Sequence, residues 1–231
     1  MSAELQTSGY VIAATGLQAE ARVAARSPQT RVVAGGGDAA RLEWLLEQSI
    51  TNDCRGLVSI GMAAGLDRNL RPGTCLIGRE VTYRGARFPA DETWTARLKA
   101  RLGKVELVGI AGADRPLVTP AQKQALFAAT GAAAADMESH VAARTAAKHN
   151  LPFVILRVVA DSQERGLPPA ALAGMRADGT TDAMGVVRSL AKNPGQLPQL
   201  IRVAADAYRA YVALLRCHRR LGPGLGLFDV R

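Results

Sequence analysis

The segment 30–60 has the sequence TRVVAGGGDAARLEWLLEQSITNDCRGLVSI, in which two kinds of hydrophobic pattern alternate. Thr30–Ala34 and Gly56–Ile60 are short apolar runs with the length and composition of buried strands. Between them, Ala39–Ile50 has apolar residues at helical spacing, and Asp38 precedes it as a candidate N-cap. A strand, a helix and a strand in this order predict two parallel strands joined by a helix.

The same alternation extends in both directions along the chain. A strand at Tyr10–Ala14 and a helix at Leu17–Arg26 come first, and Gly61 and Gly65 are expected to end the strand at Gly56–Ile60. Further strands are predicted at Thr74–Thr82, Lys104–Ile110, Ala132–Ala135 and Phe153–Ala160, and further helices at Thr93–Leu102, Gln122–Ala129 and Glu138–His149. We therefore expect an α/β fold with a central mixed, mostly parallel twisted sheet flanked by helices.

The last third of the chain has a different composition, although no linker or internal repeat divides residues 1–231, which we expect to form a single domain. Residues 163–193 contain two adjacent prolines and several glycines and are predicted to be a lid or loop. Residues 194–220 are predicted to form a long helix, with Leu197, Ile201 and Tyr208 on its apolar face, and 221–231 a Gly-rich tail.

Composition restricts the class of protein. The chain has 231 residues, of which 48% are hydrophobic and 21% charged, so a disordered chain is not expected. It lacks an apolar run of about 18 residues and a signal-like N-terminus, which favours a cytoplasmic location. Cys54, Cys75 and Cys217 are far apart in sequence, without the spacing of a disulfide framework or a zinc site.

The formal net charge is 29 − 20 = +9, which is compatible with nucleic acid, anionic lipid or a phosphorylated ligand. Aromatic residues make up only 4% of the chain, which leaves little material for stacking on single strands. The sequence also lacks a zinc-finger or RRM motif, so a nucleic-acid partner is not expected.

Four segments follow predicted strands, where ligands of α/β sheets bind. These are Gly35-Gly36-Gly37, Gly61–Gly65, Asp136–Ser139 and Asp161-Ser162. The three consecutive glycines could bring backbone N–H groups to an anion, or could simply form a tight turn. They match neither the dinucleotide-binding motif nor a P-loop, so NAD and ATP are disfavoured.

Two carboxylates in these segments are candidates for chemistry. Asp161 ends a fully apolar strand, where desolvation should raise its pKa and suit it to general acid catalysis. It could equally cap a following helix. Glu138 stands at a strand-to-helix junction, where a carboxylate is also an ordinary first-turn residue.

Taken together, five motifs identify a family resemblance: VVAGGGDAA (32–40), SIGMAAGL (59–66), LRPGTCLIG (70–78), ADMES (135–139) and LRVVADS (156–162). In order and spacing they resemble the nucleoside phosphorylase and methylthioadenosine/adenosylhomocysteine nucleosidase superfamily. Within it the chain looks most like the hopanoid-associated branch, whose suggested substrate is adenosylhopane. The segment NPGQLPQLIR (193–202) and the basic C-terminal helix support that branch.

The resemblance implies cleavage of the N-glycosidic bond of a purine nucleoside, without a metal or cofactor. By similarity, Asp161 would give a proton to purine N7, Glu138 would bind the ribose hydroxyls, Met137 would pack on the sugar, and Glu20 would activate water. The purine would lie near Ala64, Gly65, Leu117 and Ser162, and the nucleophile near Gly35, Gly36, Gly37 and Met62.

Two departures from the family pattern bear on the nucleophile. Phosphorylases of the hexameric type have Arg at the position of Ser59 and Ser at that of Met62, so the resemblance favours water over phosphate. Alternatives remain open: phosphate as co-substrate, held by Arg31, Arg84, Arg87 or Arg157, or a non-catalytic nucleoside- or lipid-binding protein. The purine-stacking Phe of the family is also missing near Pro116-Leu117.

The expected partners are a small-molecule nucleoside, which could be lipid-linked, and further copies of the chain, since family members are commonly oligomers. Arg202, Arg209 and Arg216 recur every seven residues and form a basic stripe. With Arg219, Arg220, Leu221, Leu225 and Phe228 nearby, the stripe could make a weak contact with anionic lipid at the inner membrane face, or be a solvated face.

Overall fold

The computed structural model describes residues 9–176 and 178–228, and it confirms the predicted α/β fold. The strands are β1 (Tyr10–Thr15), β2 (Thr30–Ala34), β3 (Cys54–Gly65), β4 (Cys75–Tyr83), β5 (Ala86–Pro89), β6 (Glu106–Gly112), β7 (Ala134–Asp136) and β8 (Phe153–Asp161). The α-helices are α1 (Gln18–Ala24), α2 (Ala39–Ser49), α3 (Glu92–Leu102), α4 (Pro120–Thr130), α5 (Ser139–Lys148), α6 (Pro169–Ala173), α7 (Ala183–Lys192) and α8 (Leu197–Leu221). Short 3-10 helices lie at Pro194–Gln196 and Pro223–Gly226.

The sheet is mixed and mostly parallel, as predicted, and it curls on itself. Its strand order is β2-β1-β3-β7-β6-β4-β5, while β8 pairs with both β3 and β4. The ring β3-β8-β4-β6-β7 therefore closes, with antiparallel pairs at β3–β7 and β4–β8. This closure places the last residues of β3 between β7 and β8, with Ala64 paired to Ala135 of β7 and to Asp161 of β8.

The predicted end of β3 at Ile60 is wrong, because the strand continues to Gly65. Gly61 pairs with Arg157 of β8 in this extension, so the glycine does not end the strand. A Cβ at Gly61 would lie 2.7 Å from the Glu20 carboxyl carbon and from the Arg157 Nη1 atom. The glycine therefore allows these two buried side chains to approach the strand.

Two hydrophobic clusters cover the sheet. One contains Leu42 and Leu46 of α2 and Val141 of α5, and the other contains residues of α1, α3 and α8. In the second cluster the Trp94 indole nitrogen donates to the Leu225 carbonyl at 3.1 Å.

Leu221 and Leu225, which the sequence suggests as part of a lipid contact, are instead buried in this cluster. Burial of each such side chain contributes about 1.5–3 kcal/mol, so this part of the tail belongs to the core.

The apolar face predicted for the long C-terminal helix is also wrong. Leu197, Ile201 and Tyr208 are exposed, whereas α8 buries Ala210, Leu214 and other residues on a different side. The helix packs on β8 and α3 through its second half, and that contact sets the rotation of the whole helix.

Residues 163–193 contain α6 and α7, so the expectation of a loop is wrong for much of this segment. Pro168 and Pro169 occupy the start of α6, where a missing N–H is tolerated. Asp182 caps α7 by accepting from the Gly185 amide at 2.8 Å. The prolines and glycines therefore mark the ends of helices here.

The three cysteines are free thiols, but Cys75 and Cys217 are not far apart in space. Their Sγ atoms are 2.8 Å apart, which joins β4 to α8. Within residues 9–176 and 178–228, no helix has the length and apolar character needed to cross a membrane. The same residues contain no group of three or more His, Cys, Asp or Glu side chains arranged to hold a metal ion.

Candidate active site

A cavity of about 450 Å³ lies at the carboxyl ends of the strands. Its walls come from the segments that follow β1, β2, β6 and β7, from the last residues of β3 and β8, and from α6. Its volume is in the range of small-molecule sites. A ligand site is predicted where the four sequence segments that follow strands come together. The cavity lies at that position.

Most of the predicted site residues line this cavity. They are Glu20, Gly36, Gly37, Met62, Ala64, Leu117, Met137, Glu138 and Asp161. Gly35, Gly65 and Ser162 are not part of its wall. Gly35 faces Leu42 of α2, Gly65 lies against the Asp161 carbonyl, and the Ser162 carbonyl is bound by Lys123.

The glycine loop is largely occupied by backbone hydrogen bonds. The Gly35 amide donates to Thr15 and the Gly36 amide to Gly16, each at 2.9 Å, which continues the pairing of β1 with β2. Gly36 and Gly37 then turn the chain with φ values of 71° and 81°, a conformation that favours glycine. Of the two interpretations, this geometry supports a tight turn over an anion loop.

Glu20 lies in the first turn of α1 with its side chain buried. One carboxylate oxygen, Oε2, accepts from the amides of Gly16 at 3.0 Å and Leu17 at 2.9 Å, and Oε1 accepts from the Met62 amide at 2.8 Å. Burial raises its pKa, while Arg157 and these amides act in the opposite direction. A carboxylate offers about four lone-pair sites, so Glu20 keeps one for a ligand.

Arg157 of β8 is fully buried and lies between the carboxyl groups of Asp136, the last residue of β7, and Glu138, which follows the strand. Its Nε atom is 2.8 Å from Asp136 Oδ2, and its Nη2 atom is 3.4 Å from Glu138 Oε2. Asp136 also accepts from the amides of Glu138 and Ser139, at 3.0 and 2.7 Å, which fixes the turn into α5. The sequence analysis considered Arg157 only as a phosphate ligand and did not foresee this ion pair.

Glu138 has a strongly perturbed carboxyl group. Burial, together with the nearby charges of Asp136 and Glu20, raises its pKa to about 8 against the opposing effect of Arg157. At neutral pH Glu138 is therefore mostly protonated. It can then both donate a hydrogen bond and accept one, which suits a pair of hydroxyl groups.

Asp161 stands at the other end of the cavity, at the last residue of β8, and is 8% exposed. Its Oδ2 atom accepts a hydrogen bond from the ammonium group of Lys123, which is fully buried. Burial raises the pKa of Asp161, and the positive charge of Lys123 limits the rise. Sequence reasoning missed Lys123, because a lysine on a helix rich in polar residues is typical of an exposed position.

The wall of the cavity also contains the apolar residues Ala64, Leu117, Leu167, Leu172 and Met175, of which Ala64 pairs with Asp161. Two exposed arginines, Arg115 and Arg176, also border the cavity, and no motif in the sequence points to either.

The surface arginines considered as phosphate ligands lie outside the wall of the cavity. Arg31 donates to the Ser49 carbonyl at 2.9 Å, Arg84 pairs with Asp114 at 3.0 Å, and Arg87 pairs with Glu80 at 3.3 Å. Of the arginines named in advance, only Arg157 is near the predicted nucleophile position, and its charge is already shared by Asp136 and Glu138.

Comparison with known proteins agrees with this fold. The family model described as "Phosphorylase superfamily" matches residues 30–192. A 5'-methylthioadenosine/S-adenosylhomocysteine nucleosidase from S. pneumoniae, solved with a transition-state inhibitor, is 14% identical with a TM-score of 0.63, covering 92% of this chain and 99% of its own. The corresponding Helicobacter pylori nucleosidase is 13% identical with a TM-score of 0.64, covering 93% and 100%.

Futalosine hydrolase of Helicobacter pylori is 15% identical with a TM-score of 0.59, and the match covers 66% of this chain and 88% of its own. No curated protein matches the chain by sequence. At these identities the structural neighbours show the fold, whereas the family model shows membership.

Proposed function

The chain belongs to the phosphorylase superfamily, and from this premise we propose that it cleaves the N-glycosidic bond of a purine nucleoside with water as the nucleophile. One observation carries the proposal: Glu20, Glu138 and Asp161 are among the four buried carboxyl groups, with Asp136, that line a single cavity at the strand ends. Burial raises the pKa of Glu20, Glu138 and Asp161. Carboxyl groups with raised pKa values are the usual acids and bases of glycoside cleavage.

In the proposed reaction, Asp161 is the general acid. The bond between the ribosyl carbon and the purine breaks, its electron pair goes to the base, and Asp161 protonates purine N7. The apolar wall near Asp161, with Ala64 and Leu117, would hold the flat base. General acid catalysis of this kind contributes about 10²–10⁴-fold to the rate.

Glu138 and Met137 would bind the sugar. Protonated Glu138 can donate to one ribose hydroxyl and accept from another, so it would favour the geometry of the oxocarbenium-like transition state. Met137 lines the cavity, and its terminal methyl lies beside Gly37, where a Cβ would be 3.4 Å away. A thioether there can pack against the sugar without requiring a hydrogen bond.

Glu20 would accept a proton from the attacking water at its remaining lone-pair site. Two features favour water over phosphate at this end. Asp136 already balances the charge of Arg157, so the arginine has no positive charge left over to bind a phosphate dianion. Met62 lines the cavity where a phosphorylase presents a serine hydroxyl, and a thioether has no hydrogen to donate.

Release of free base from adenosine nucleosides, with and without phosphate, tests the proposal. We expect adenine to appear equally fast in phosphate-free buffer and in phosphate. Phosphorolysis is the second candidate, favoured by the exposed Arg115 and Arg176 that border the cavity. Release that requires phosphate would establish it. A protein that binds adenosine but releases no base under either condition would be a non-catalytic binding protein.

For the substrate, we propose a nucleoside that carries a lipid, adenosylhopane in the first instance. The branch resemblance suggests it, and the side of the cavity formed by Leu167, Leu172 and Met175 supports it, because these residues could cover a hydrocarbon chain. We expect a higher kcat/KM for adenosylhopane than for adenosine. Equal kcat/KM values for adenosylhopane and adenosine would contradict the lipid-linked substrate but not the purine nucleoside.

We propose a weak membrane contact at a different place from the C-terminal tail. Met184 and Val187 of α7 and Leu197 and Ile201 of α8 are large, apolar and 47–60% exposed. Arg188, Lys192 and Arg202 lie on the same elements and are exposed. Apolar side chains flanked by cations are typical of contact with anionic lipid.

Binding to vesicles of phosphatidylcholine and phosphatidylglycerol at low salt tests this contact. The substitutions Met184→Gln and Val187→Gln together should weaken binding, whereas Trp44→Gln, at a 61% exposed tryptophan of α2, should not. Equal loss in both variants would contradict the assignment of α7.

We also propose that the chain forms a homo-oligomer, as members of the resembled family commonly do. Sedimentation equilibrium of the purified chain tests this directly, and a monomer at micromolar concentration would contradict it.

A further inference from the structure

Lys123 is the most unusual residue near the cavity. It lies in α4 between Gln122 and Gln124, in a helix that presents polar residues to solvent, yet its side chain is completely buried. Burial of an ammonium group is very costly unless each of its protons finds an acceptor and its charge is balanced.

The structure gives the ammonium group of Lys123 three acceptors for its three protons. They are Oδ2 of Asp161 and the carbonyls of Ser162 and Arg165, the last two at 2.8 Å. All three follow or end β8, so Lys123 joins α4 to the residue that we propose as the acid. Only Oδ2 of Asp161 is engaged in this way, and the second carboxylate oxygen is left for the cavity.

We propose that Lys123 is a positioning residue, which orients the carboxyl group of Asp161 and balances the negative charge that forms there when the leaving purine is protonated. This inference rests on the proposed function, because it assigns a role in that reaction. At the ribose end of the cavity, near Glu138, the cation beside the carboxyl groups is Arg157.

Asp161 begins protonated, beside the ammonium of Lys123. As the glycosidic bond breaks, its electron pair goes to the purine, and the Asp161 proton moves to N7. Asp161 is then a carboxylate paired with an ammonium that has kept all its protons. Without Lys123 the same transfer would leave an unbalanced buried carboxylate.

Other charged groups face Asp161 less directly. Arg165, from the segment after β8, favours its carboxylate, and Asp206 of α8 disfavours it. Arg165 and Arg209 both pair with Asp206, at 3.1 and 2.8 Å, so Asp206 offsets part of the positive charge that Arg165 brings near Asp161. Lys123 is therefore the main cation acting on Asp161.

The test is Lys123→Met, which keeps most of the length of the side chain and removes the charge. A positive charge favours the carboxylate, so its removal should let Asp161 keep its proton to higher pH. We expect the alkaline limb of kcat/KM to move up by about 1–3 pH units. Because Asp161 becomes a weaker acid, kcat at its optimum should fall about 10-fold or more.

A second measurement does not depend on activity. The carboxyl carbon of Asp161, labelled with ¹³C and assigned by its loss in Asp161→Asn, should titrate higher in Lys123→Met by the same interval. Lys123→Arg should restore most of both effects. The matched control is Lys148→Met, which removes an exposed lysine paired with Glu47 at 2.9 Å and should change neither.

Base release by the unmodified protein tests the proposed function, and the behaviour of Lys123→Met tests the role of Lys123. Failure of the unmodified protein to release a base would overturn the proposed function, while the carbon titration would still test Lys123. A folded Lys123→Met variant with an unchanged limb and an unchanged titration would overturn the inference.

If Lys123→Met is too unstable for kinetics, its stability is compared with that of the double variant Lys123→Met, Asp161→Asn. The double variant should resist urea at pH 8 better than Lys123→Met alone, because it lacks the unbalanced carboxylate. Equal instability of the single and double variants would also overturn the inference.

Discussion

The two ends of the cavity balance buried charge in different ways. At the ribose end, Arg157 is shared by Asp136 and Glu138, and it also acts on the charge of Glu20. At the base end, Asp161 has the ammonium of Lys123 for itself.

The difference separates the two tasks. A group of carboxyls with too little positive charge retains a proton, which is useful for binding hydroxyls, and its cation is already balanced, so it does not attract an anion. An acid with its own cation can give up its proton and remain balanced. Because Arg157 and Asp161 are four residues apart on β8, one strand serves both ends.

Removal of the shared cation should have the largest effect. Arg157→Met would leave the carboxyls of Asp136, Glu138 and Glu20 buried without a counter-ion. We expect the free energy of unfolding at pH 7 to fall by about 3–5 kcal/mol, the usual cost of breaking a buried ion pair, or the chain not to fold at all. Urea unfolding measures it. Arg31→Met, at an arginine outside the cavity wall, is the control. An equally small loss of unfolding free energy in both variants would mean that the buried carboxyl groups need no cation.

Removal of the acid at the base end should reduce activity, and it should also lower stability because the buried ammonium of Lys123 loses its counter-ion. Asp161→Asn keeps the shape of the side chain but cannot protonate the leaving purine. We expect turnover to fall by at least about 10²-fold, with an unchanged circular dichroism spectrum. Steady-state kinetics on an adenosine nucleoside provide the measurement. Undiminished turnover would remove Asp161 from the mechanism.

Glu138 should make stability depend on pH, because its pKa of about 8 lies above that of an unfolded glutamate. The folded state then binds the extra proton, so this contribution is complete below the unfolded pKa and is lost as the pH rises toward 8.

Between pH 5 and 8 the unmodified protein should therefore lose stability relative to Glu138→Gln, by about 1 kcal/mol per pH unit at most. Urea titrations at several pH values measure the difference between the two proteins. Parallel plots of unfolding free energy against pH for the two proteins would show that Glu138 is ionised throughout this range. In activity, Glu138→Gln should weaken transition-state binding through the ribose and leave the acid step in place.

The smallest expected effect tests the apolar wall at the base end. Leu117→Phe would add an aromatic ring where the resembled family has one, and stacking on a base contributes about 1–3 kcal/mol. We expect KM for adenosine to fall about 5-fold or more, with an unchanged pH profile. A change in the pH profile would show that the wall and the acid are not independent.

The order of strands and helices could be predicted because each element has its own local pattern. Closure of the sheet through β8 could not be predicted, because the local pattern of a strand does not show which other strands it pairs with. The hairpin strand β5 was missed although Arg84 and Gly85 form a turn with φ values of 49° and 83°. The face of α8 was misjudged because exposed and buried apolar residues look alike in sequence.

For the site, position in the fold was more informative than residue type. Asp161 and Glu138 were found because they follow strands, and Glu20 was found only through the family resemblance. Lys123 and the pairing of Arg157 with Asp136 were missed, because both depend on residues distant in sequence that only the folded chain brings together.

The nature of the sugar product tests the central claim most directly, because the carboxyl-rich ribose end should exclude phosphate. The measurement is ³¹P NMR of the reaction in phosphate buffer, while adenine release is followed in the same sample. We predict that adenine accumulates and that inorganic phosphate remains the only phosphorus signal. A ribosyl phosphate signal that grows in step with adenine would contradict this account of the ribose end.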